Sequence, residues 1–330
     1  MHITILEFAP CADSIYHISR DREEGYISSG ERTINIKSGA KLRPRAVGTY
    51  AGGKATNVAR VMDRLLKAED GVELELIVFR PDSPEGRYIH ELQTQSLARA
   101  RLRPVIIKAS ARFCIDLTDP TTDGESRVEF NISPRALWEQ GALDMATEFA
   151  SSVSTDVLLL AGNPPVVEAT GEMAVGLYSD IVEEVRSRSR VISIDAEKGA
   201  LAACLKSRSR PDVIKINADE HAGVDESLWD GFSGTLLVTD ARGCRVWEGG
   251  PAGSPARVEA VKACPLYSTI GAGDAVHAGF TLARWVWGFD PIEAARYGQA
   301  AAAASVSSPD GTRGITRQAV EQFFIELERK

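Results

Sequence analysis

The sequence predicts an α/β fold in which a central, mostly parallel β-sheet has helices packed on both faces. Short runs rich in β-branched residues and leucine recur along the 330 residues, and helical patterns separate many of them. Apolar runs of this length are typical of strands buried on both faces, and strands that alternate with helices form parallel sheets. The composition, 44% hydrophobic and 25% charged, is that of a folded protein with a substantial core.

The predicted elements follow one another along the whole chain. The strands are ITILEF at 3–8, ELELIVF at 73–79, DVLLLAG at 156–162, VISIDA at 191–196, DVIKIN at 212–217 and TLLVTD at 235–240. The helices cover 57–68, 166–188, 275–286 and 293–304. Because no linker, repeat or low-complexity tract interrupts this order, we expect a single domain over residues 1–330.

Two segments depart from the alternation of strands and helices. The first is polar with little periodicity, and the second contains PVIIKAS, RFCIDLTD and SRVEFNI around the turn signal Thr122-Asp123-Gly124. These patterns indicate antiparallel strands. We therefore expect a small β-rich lid formed from about residues 13–50 and 104–131.

The charge and the cysteines exclude several classes of protein. A formal net charge of −8 opposes non-specific attraction to nucleic acids or anionic membranes. The five cysteines are scattered and never form a CxxC pair, which argues against a disulfide framework or a zinc knuckle. The first residues lack the pattern of a secretion signal, and the longest apolar runs are too short to span a bilayer. We expect a cytoplasmic protein whose partners are small molecules.

The stretch STIGAGDAVHAGF combines features of an anion site with a carboxylate. Gly271, Ala272 and Gly273 leave their amides accessible, and the helix that follows has unpaired N–H groups in its first turn. Asp274 either caps this helix or accepts the proton of a hydroxyl that attacks a bound phosphoryl group. The two neighbouring glycines favour the second interpretation.

A second glycine cluster, GTYAGGKATNVARV, resembles a phosphate-binding P-loop at first sight. Ala55 stands where that loop needs a hydroxyl for Mg²⁺, and no clear strand precedes it, so we reject this assignment. Gly52 and Gly53 instead allow backbone to approach a sugar, while Lys54 offers a cation and Asn57 an amide. The alternative is a glycine turn before an amphipathic helix.

Taken together, AGGKATNVARVMDRL and STIGAGDAVHAGF resemble the two signatures of the PfkB (ribokinase-like) carbohydrate kinases, GGKGxNVA and DTxGAGDxFxAGF, in the same order. The segments LLLAGNPP, VISIDAEKGAL and VIKINADE extend the resemblance over nearly the whole chain. It implies a ribokinase-like three-layer α/β/α sandwich with a small β-sheet lid, and an ATP-dependent phosphotransferase that acts on an alcohol group.

The resemblance also implies roles for individual residues on the nucleotide side. Asp274 would be the catalytic base, and the amides of residues 271–273 would hold the γ-phosphoryl group. Asn217 and Glu220, which match an NxxE motif, would order water around Mg²⁺. The remaining nucleotide contacts would come from Lys215, Thr239 and Gly243, and the purine would lie near residues 301–312. ATP and Mg²⁺ are the implied cofactors, and a dependence on a monovalent cation stays open.

On the acceptor side, APCAD matches the NPALD of the branch that contains 1-phosphofructokinases and tagatose-6-phosphate kinases, so Asp13 would bind sugar hydroxyls. Arg112 and Lys54 would together bind a substrate phosphate, with Gly52, Gly53 and Asn57 orienting the sugar. Departures from the family pattern cluster here: Ala9, Ala51, Ala55 and Cys114.

Several functions therefore remain open. The leading one is phosphorylation of a primary hydroxyl on a phosphorylated ketohexose of the fructose 1-phosphate or tagatose 6-phosphate type. The alternatives are a kinase of an unphosphorylated sugar or nucleoside, and a non-catalytic sugar-binding protein on the same scaffold. A Rossmann dehydrogenase is disfavoured because GAGDAVHAG lies near the C-terminus without the required acidic residue after it. By analogy with the family, we expect a homodimer formed through the lids.

Overall fold

The computed structural model describes residues 1–17, 26–29, 33–36, 45–118, 127–132, 135–261, 263 and 266–328. The strands, in chain order, are β1 His2–Glu7, β2 Cys11–His17, β3 Tyr26–Ser29, β4 Thr33–Ile36, β5 Arg45–Gly52, β6 Glu73–Pro81, β7 Arg101–Ile107, β8 Arg112–Thr118, β9 Arg127–Asn131, β10 Leu137–Trp138, β11 Thr155–Ala161, β12 Val166–Val167, β13 Ser189–Asp195, β14 Val213–Asn217, β15 Thr235–Asp240, β16 Gly243–Trp247 and β17 Ala256–Glu259. The α-helices are α1 Lys54–Leu65, α2 Pro84–Ser96, α3 Gln140–Ser151, α4 Leu177–Val185, α5 Lys198–Lys206, α6 Ala218–Ala222, α7 Ala272–Thr281, α8 Pro291–Val306 and α9 Arg317–Glu328.

A nine-stranded sheet with the order β17-β16-β15-β14-β13-β11-β1-β6-β7 forms the centre of the fold. Its strand pairs are parallel except at one edge, where β16 pairs antiparallel with both β15 and β17. The six strands predicted from apolar runs are β1, β6, β11, β13, β14 and β15. The predicted α/β class is therefore confirmed.

The core lies on both faces of this sheet, because successive side chains of a strand point to opposite sides. In β1, Ile3 and Ile5 pack into the layer formed with α1, α7, α8 and α9, whereas Leu6 packs into the layer formed with α3, α4 and α5. In β11, Val157 and Leu158 divide between the layers in the same way. This arrangement is the expected three-layer α/β/α sandwich.

The long helix predicted over 166–188 is much shorter in the structure. The segment begins with β12, continues through turns, and becomes helical over Leu177–Val185. Gly171 adopts a left-handed φ of 69°, which a continuous right-handed helix does not contain. Leu-rich and Val-rich periodicity alone therefore overestimated the helix by about three turns at its start.

A separate four-stranded sheet with the order β5-β2-β8-β9 contains most of the segments predicted as the lid. Strand β2 follows closely after β1 and pairs antiparallel with β5 and parallel with β8. The predicted boundary at 104 is wrong for β7, since this strand pairs in parallel with β6 at the edge of the large sheet. The predicted turn at 122–124 lies outside the described residues.

The chain connections bring polar residues to one edge of the large sheet. Glu7, Asp195, Asn217 and Asp240 stand at the carboxyl ends of β1, β13, β14 and β15, respectively. Ligands of open parallel sheets bind outside these strand ends. Among the described residues, no helix has the length and apolar character needed to cross a bilayer.

Candidate functional site

A cavity of about 590 Å³ lies at this edge, between the large sheet, the small sheet and the first turns of α1 and α7. It collects most of the residues that the sequence singled out, although they are far apart along the chain. Those lining it are Asp13, Gly53, Lys54, Asn57, Arg112, Lys215, Asn217, Thr239, Gly271, Ala272, Gly273 and Asp274. Gly52, Glu220 and Gly243 do not line it.

Asp274 lies in the first turn of α7, directly after a sharp change of chain direction. Gly271 makes this turn with a left-handed φ of 73°, which favours glycine. The Asp274 side chain is buried, and Asn57 Nδ2 donates a hydrogen bond of 2.8 Å to its Oδ2 atom. Burial raises the pKa of Asp274, and the nearby Lys215 offsets part of this effect. A carboxylate with a raised pKa is a stronger proton acceptor.

Arg60 fixes the orientation of Asn57, although the sequence analysis did not identify it. Its Nη1 atom donates to Asn57 Oδ1 at 2.7 Å and to Thr312 Oγ1 at 3.1 Å, and Nη2 donates to the carbonyl of Ala51. Because the oxygen of Asn57 accepts from Arg60, its NH₂ group points to Asp274. The i, i+3 spacing of Asn57 and Arg60 on one helix face was the available signal.

A lysine of the neighbouring strand β14 lies close to the glycine loop before α7. A Cβ atom added to Gly273 would lie 2.8 Å from Lys215 Nζ, so the ammonium group stands directly over the loop. The amide of Ala272 differs from expectation, since it donates to the carbonyl of Thr269 at 3.2 Å. The amides of Gly271 and Gly273, together with Lys215, are therefore the stronger candidates for binding an anion.

Asp195 joins the two lysines of the cavity and was missed by the sequence analysis. Its Oδ1 atom lies 2.9 Å from Lys54 Nζ, and its Oδ2 atom lies 2.7 Å from Lys215 Nζ. Burial raises the pKa of Asp195, but Lys215 and Lys54 outweigh burial and hold it well below its usual range. Lys54 thus shares its carboxylate partner with Lys215, whereas the resemblance had placed it with Arg112 around a substrate phosphate. The signal that could have identified Asp195 is its position as an acidic residue at the end of an apolar strand.

Asn217 and Glu220 form a reciprocal capping box at the start of α6. Glu220 N donates to Asn217 Oδ1, and Asn217 N donates to Glu220 Oε2, each at 2.8 Å. Glu220 Oε1 also lies 3.9 Å from Lys54 Nζ, which places this carboxylate at the rim of the cavity. Carboxylate and amide oxygens suit Mg²⁺ and its bound water, so the donor set fits this ion.

A second cavity of about 670 Å³ continues from the first. The two share Asp240, Ala272, Gln299 and Ala302. The second is bordered mainly by small or apolar side chains, among them Ala260, Val261, Ala263, Leu266, Ala303 and Val306. This space adjoins the segment 301–312, near which the resemblance places the purine. Gly243 lies outside both cavities, where a Cβ atom would come within 2.0 Å of the Val258 carbonyl oxygen, and it thus permits the β16–β17 pairing.

Carboxylates approach the second glycine cluster closely on the side of the small sheet. A Cβ atom at Gly52 would lie 2.0 Å from Asp13 Oδ2, and one at Gly53 would lie 2.5 Å from Glu7 Oε2. Arg112 Nη1 donates to the carbonyl of Ala9 at 3.3 Å, on the same side of the cavity. The two carboxylates explain why both positions are glycine.

Glu7 is a further cavity residue that the sequence analysis did not identify. It is 2% exposed, and it accepts hydrogen bonds from Thr56 N at 2.8 Å, Thr56 Oγ1 at 3.0 Å and Ala9 N at 3.1 Å. Burial raises the pKa of Glu7 to about 7. The isolated glutamate in the apolar run ITILEF was the signal that could have found it.

Comparisons with known proteins show the family and support the fold. Residues 28–317 match the pfkB family of carbohydrate kinases. Phosphofructokinase-2 from Escherichia coli superposes with a TM-score of 0.78 at 18% identity, covering 99% of each chain. A possible 1-phosphofructokinase from Thermotoga maritima gives 0.71 at 17% identity over 98% of each chain. Ribokinase from the same organism gives 0.61 at 15% identity over 98% of this chain and 99% of its own. No curated protein sequence matches the chain significantly.

Proposed function

The chain belongs to the pfkB family of carbohydrate kinases and is a phosphotransferase, and from this premise we propose that it transfers the γ-phosphoryl group of ATP to a primary hydroxyl of a phosphorylated ketohexose. One observation carries the proposal. Asp274 is oriented by Asn57 inside a cavity that has Lys215 above Gly273 at one end and Asp13 with Arg112 at the other. A base between a phosphate site and a hydroxyl site is what this reaction needs.

In the chemical step, Asp274 accepts the proton of the substrate hydroxyl while the hydroxyl oxygen bonds to the γ-phosphorus. The bond from this phosphorus to the bridging oxygen breaks, and ADP leaves. Lys215 and the amides of Gly271 and Gly273 stabilise negative charge on the transferring group. Asn217 and Glu220 would order the water around Mg²⁺, which when bound would supply further positive charge near the phosphates.

Lys54 acts on the same phosphates in this proposal. Its ammonium contacts Asp195, which also holds Lys215. Burial lowers the pKa of Lys54, but the carboxylates of Asp195, Asp274 and Glu220 outweigh burial and raise it above its usual range. The lysine therefore stays charged at neutral pH. Two ammonium groups joined by one carboxylate form a fixed cationic surface, which needs little reorganisation during transfer.

The nucleotide would extend from this surface into the second cavity. Thr239 and Asp240 at the end of β15 lie beside the first space, and Ala302 and Ala303 leave room for the purine in the second. The small sheet would act as the lid that closes over the acceptor and excludes water, which otherwise competes for the phosphoryl group. The E. coli phosphofructokinase-2 has been solved with potassium, so a monovalent cation belongs in the first assays.

Arg112 supports a phosphorylated acceptor, because its guanidinium lies at the wall of the cavity near Asp13. Fructose 6-phosphate, which has been seen bound to the E. coli phosphofructokinase-2, joins fructose 1-phosphate and tagatose 6-phosphate as an acceptor to test. Asp116 also lines this end, and the negative charge of its carboxylate favours the second candidate, a neutral sugar or nucleoside.

The deciding experiment measures ADP release with the three sugar phosphates, plain hexoses, ribose and adenosine. We expect turnover with a sugar phosphate, and Arg112→Ala should raise its KM by about 10- to 100-fold, the loss of a charge-assisted hydrogen bond. Turnover with a plain sugar or adenosine that Arg112→Ala leaves unchanged would favour the second candidate. Absence of ADP release with every acceptor would support a sugar-binding protein instead.

A further inference from the structure

Two cysteines and an aspartate converge on one face of the small sheet. Strands β2 and β8 pair in parallel, with Cys11 opposite Arg112 and Asp13 opposite Cys114. Residues two apart on a strand share a face, so Cys11 and Asp13 point to the same side as Cys114. The Sγ atoms and a carboxylate oxygen of these three side chains all lie within 4.8 Å of one another. All three residues line the cavity.

We propose that Cys11, Asp13 and Cys114 bind a thiophilic divalent metal ion, such as Zn²⁺, inside the acceptor end of the cavity. Tetrahedral zinc has Zn–S distances of about 2.3 Å and Zn–O distances of about 2.0–2.2 Å, which place neighbouring ligand atoms roughly 3.6–3.8 Å apart. Cys11 Sγ already lies 3.1 Å from Asp13 Oδ1, with the thiol donating to the carboxylate. The three ligand atoms would have to reach these separations from distances that are now 4.8 Å or less.

The nature of the donors selects the class of metal. Two thiolates and one carboxylate favour Zn²⁺ and other thiophilic ions over Mg²⁺ and Ca²⁺, which prefer oxygen ligands. The site is thus chemically distinct from the oxygen donors of Asn217 and Glu220. Three protein ligands leave a fourth position for water or another ligand, and all three line the cavity.

Nearby charge is compatible with a bound ion. Three ionised ligands around a divalent ion leave one net negative charge. Arg112 stands directly opposite Cys11 in the pairing of β2 with β8, and Arg60 and Arg313 lie close enough to Asp13 to interact with its charge. These guanidinium groups offset the remaining negative charge.

A disulfide between the two cysteines fits the geometry less well. Cys11 and Cys114 occupy diagonal positions on neighbouring strands, because their directly opposite partners are Arg112 and Asp13. With strands about 4.8 Å apart and a rise of about 3.3 Å per residue, Cα atoms two residues out of register lie roughly 8 Å apart, whereas disulfides join Cα atoms about 4.4–6.8 Å apart. An ion bridges the gap without movement of the backbone.

Metal binding would have a consequence for catalysis, and this consequence rests on the proposed function. Asp13 is the carboxylate proposed to bind the acceptor hydroxyls, so an ion that occupies it competes with the sugar. Zn²⁺ would therefore inhibit competitively with the acceptor and leave the KM for ATP unchanged. The metal site itself does not depend on the identity of the acceptor.

Titration of the full-length protein with Co²⁺, a spectroscopic substitute for Zn²⁺, tests the site directly. We expect one equivalent of tetrahedral Co²⁺ with thiolate charge-transfer absorption, and displacement of that ion by Zn²⁺. Cys11→Ser and Cys114→Ser should each weaken Co²⁺ binding at least about tenfold, the lower end of what even outer-sphere changes cost. Cys204→Ala, at a buried position of helix α5, serves as a control with unchanged binding.

The wild-type spectrum keeps the test independent of how the variants fold. Absence of thiolate charge-transfer absorption, or equal binding by a folded Cys11→Ser/Cys114→Ser double variant, would overturn the proposal. Kinase assays with Zn²⁺ then separate the two hypotheses. Tight Co²⁺ binding without turnover on any acceptor would contradict the proposed function alone, and turnover without Co²⁺ binding would contradict the metal site alone.

Discussion

The buried glutamate Glu7 makes stability depend on pH in a direction opposite to that of an ordinary paired carboxylate. Its pKa is raised by burial from 4.5 to about 7, so the native protein keeps a proton that the unfolded chain releases. The stabilisation is fully present below about pH 4.5 and is lost as pH rises through about 7. This difference in pKa between the unfolded and native states corresponds to about 3 kcal/mol in the free energy of unfolding.

We therefore predict that the free energy of unfolding of the wild type falls between about pH 5 and pH 8 more steeply than that of Glu7→Gln. Denaturant titrations of both proteins across this range measure the difference. The amide of the variant has one acceptor oxygen in place of two and loses a hydrogen bond, so the slopes with pH, rather than the absolute stabilities, carry the comparison. Parallel pH profiles would show that Glu7 is ionised to the same extent in the native and unfolded states.

Asp195 makes stability depend on pH in the direction opposite to that of Glu7, because the lysines hold its pKa well below its usual range. Its contribution to stability is present above the pKa of the unfolded chain and is lost in acid. Asp195→Asn leaves the buried Lys215 without its carboxylate partner, so we expect a loss of about 3–5 kcal/mol at neutral pH. Denaturant unfolding measures it.

A second substitution supplies the control for that prediction. Adding Lys215→Met to Asp195→Asn removes the buried ammonium as well, and this should recover a large part of the lost stability. If the double variant is no more stable than Asp195→Asn, the cost arises from something other than the unpaired lysine.

These buried charges also show why only some residues of the site could be predicted from the sequence. Lys54 and Asp195 are 141 positions apart, and Asn57 and Asp274 are 217 apart. Signature motifs identified Lys54, Asn57 and Asp274 because their spacing within each motif is local. Glu7 belongs to no motif, and Arg60 and Asp195 lie in stretches that resemble the family without having been given a role there. The roles of all three depend on partners that the fold brings together.

At the scale of single elements, Gly273 in the first turn of α7 allows the effect of helix propensity on stability to be measured apart from the effect on function. Gly273→Ala favours the helix intrinsically, by up to about 1 kcal/mol, but its Cβ atom would lie 2.8 Å from Lys215 Nζ. We expect a folded protein of similar or greater thermal stability in which the displaced ammonium lowers kcat. Thermal unfolding and steady-state kinetics on the same samples measure both effects.

The matched control is Gly141→Ala in α3, where an added Cβ atom meets no other atom within 4 Å. It should give the same small gain in stability with unchanged turnover. Equal kinetics for the two variants would mean that the position of Lys215 over the loop is unimportant for the reaction.

Elements with one dominant pattern were predictable, and those with mixed patterns were not. The apolar strands β1, β11 and β13 are buried on both faces, so their sequences show it directly. Strand β7, RLRPVII, is a largely exposed edge strand that contains Pro104. Its apolar residues predicted a strand, but they did not show that it pairs with the large sheet rather than with the lid. Tertiary pairing, rather than local preference, decides such elements.

For the whole molecule, exposed apolar residues on the small sheet suggest where two copies would meet. Phe130, Ile132 and Val47 are 44%, 60% and 41% exposed, and they lie on or beside strands β9 and β5. Apolar patches of this kind mark interaction surfaces. We predict a dimer that Ile132→Asp shifts toward monomer, as measured by analytical ultracentrifugation.

Ile325→Asp is the control for the dimer prediction. Ile325 is 46% exposed, but it lies on α9, a helix that packs in a layer on the large sheet and is not part of the small sheet. It should leave the dimer intact. A wild-type monomer, or a dimer that survives Ile132→Asp and dissociates with Ile325→Asp, would place the interface elsewhere.

The central claim, that Asp274 takes the proton of the acceptor, is tested most directly by the turnover of Asp274→Asn together with its affinity for ATP. The substitution keeps an oxygen that can accept from Asn57, so the fold and nucleotide binding should be retained. We predict that kcat falls by about 10²- to 10⁴-fold, the usual contribution of a positioned base. Turnover close to that of the wild type, with normal ATP binding, would contradict the account.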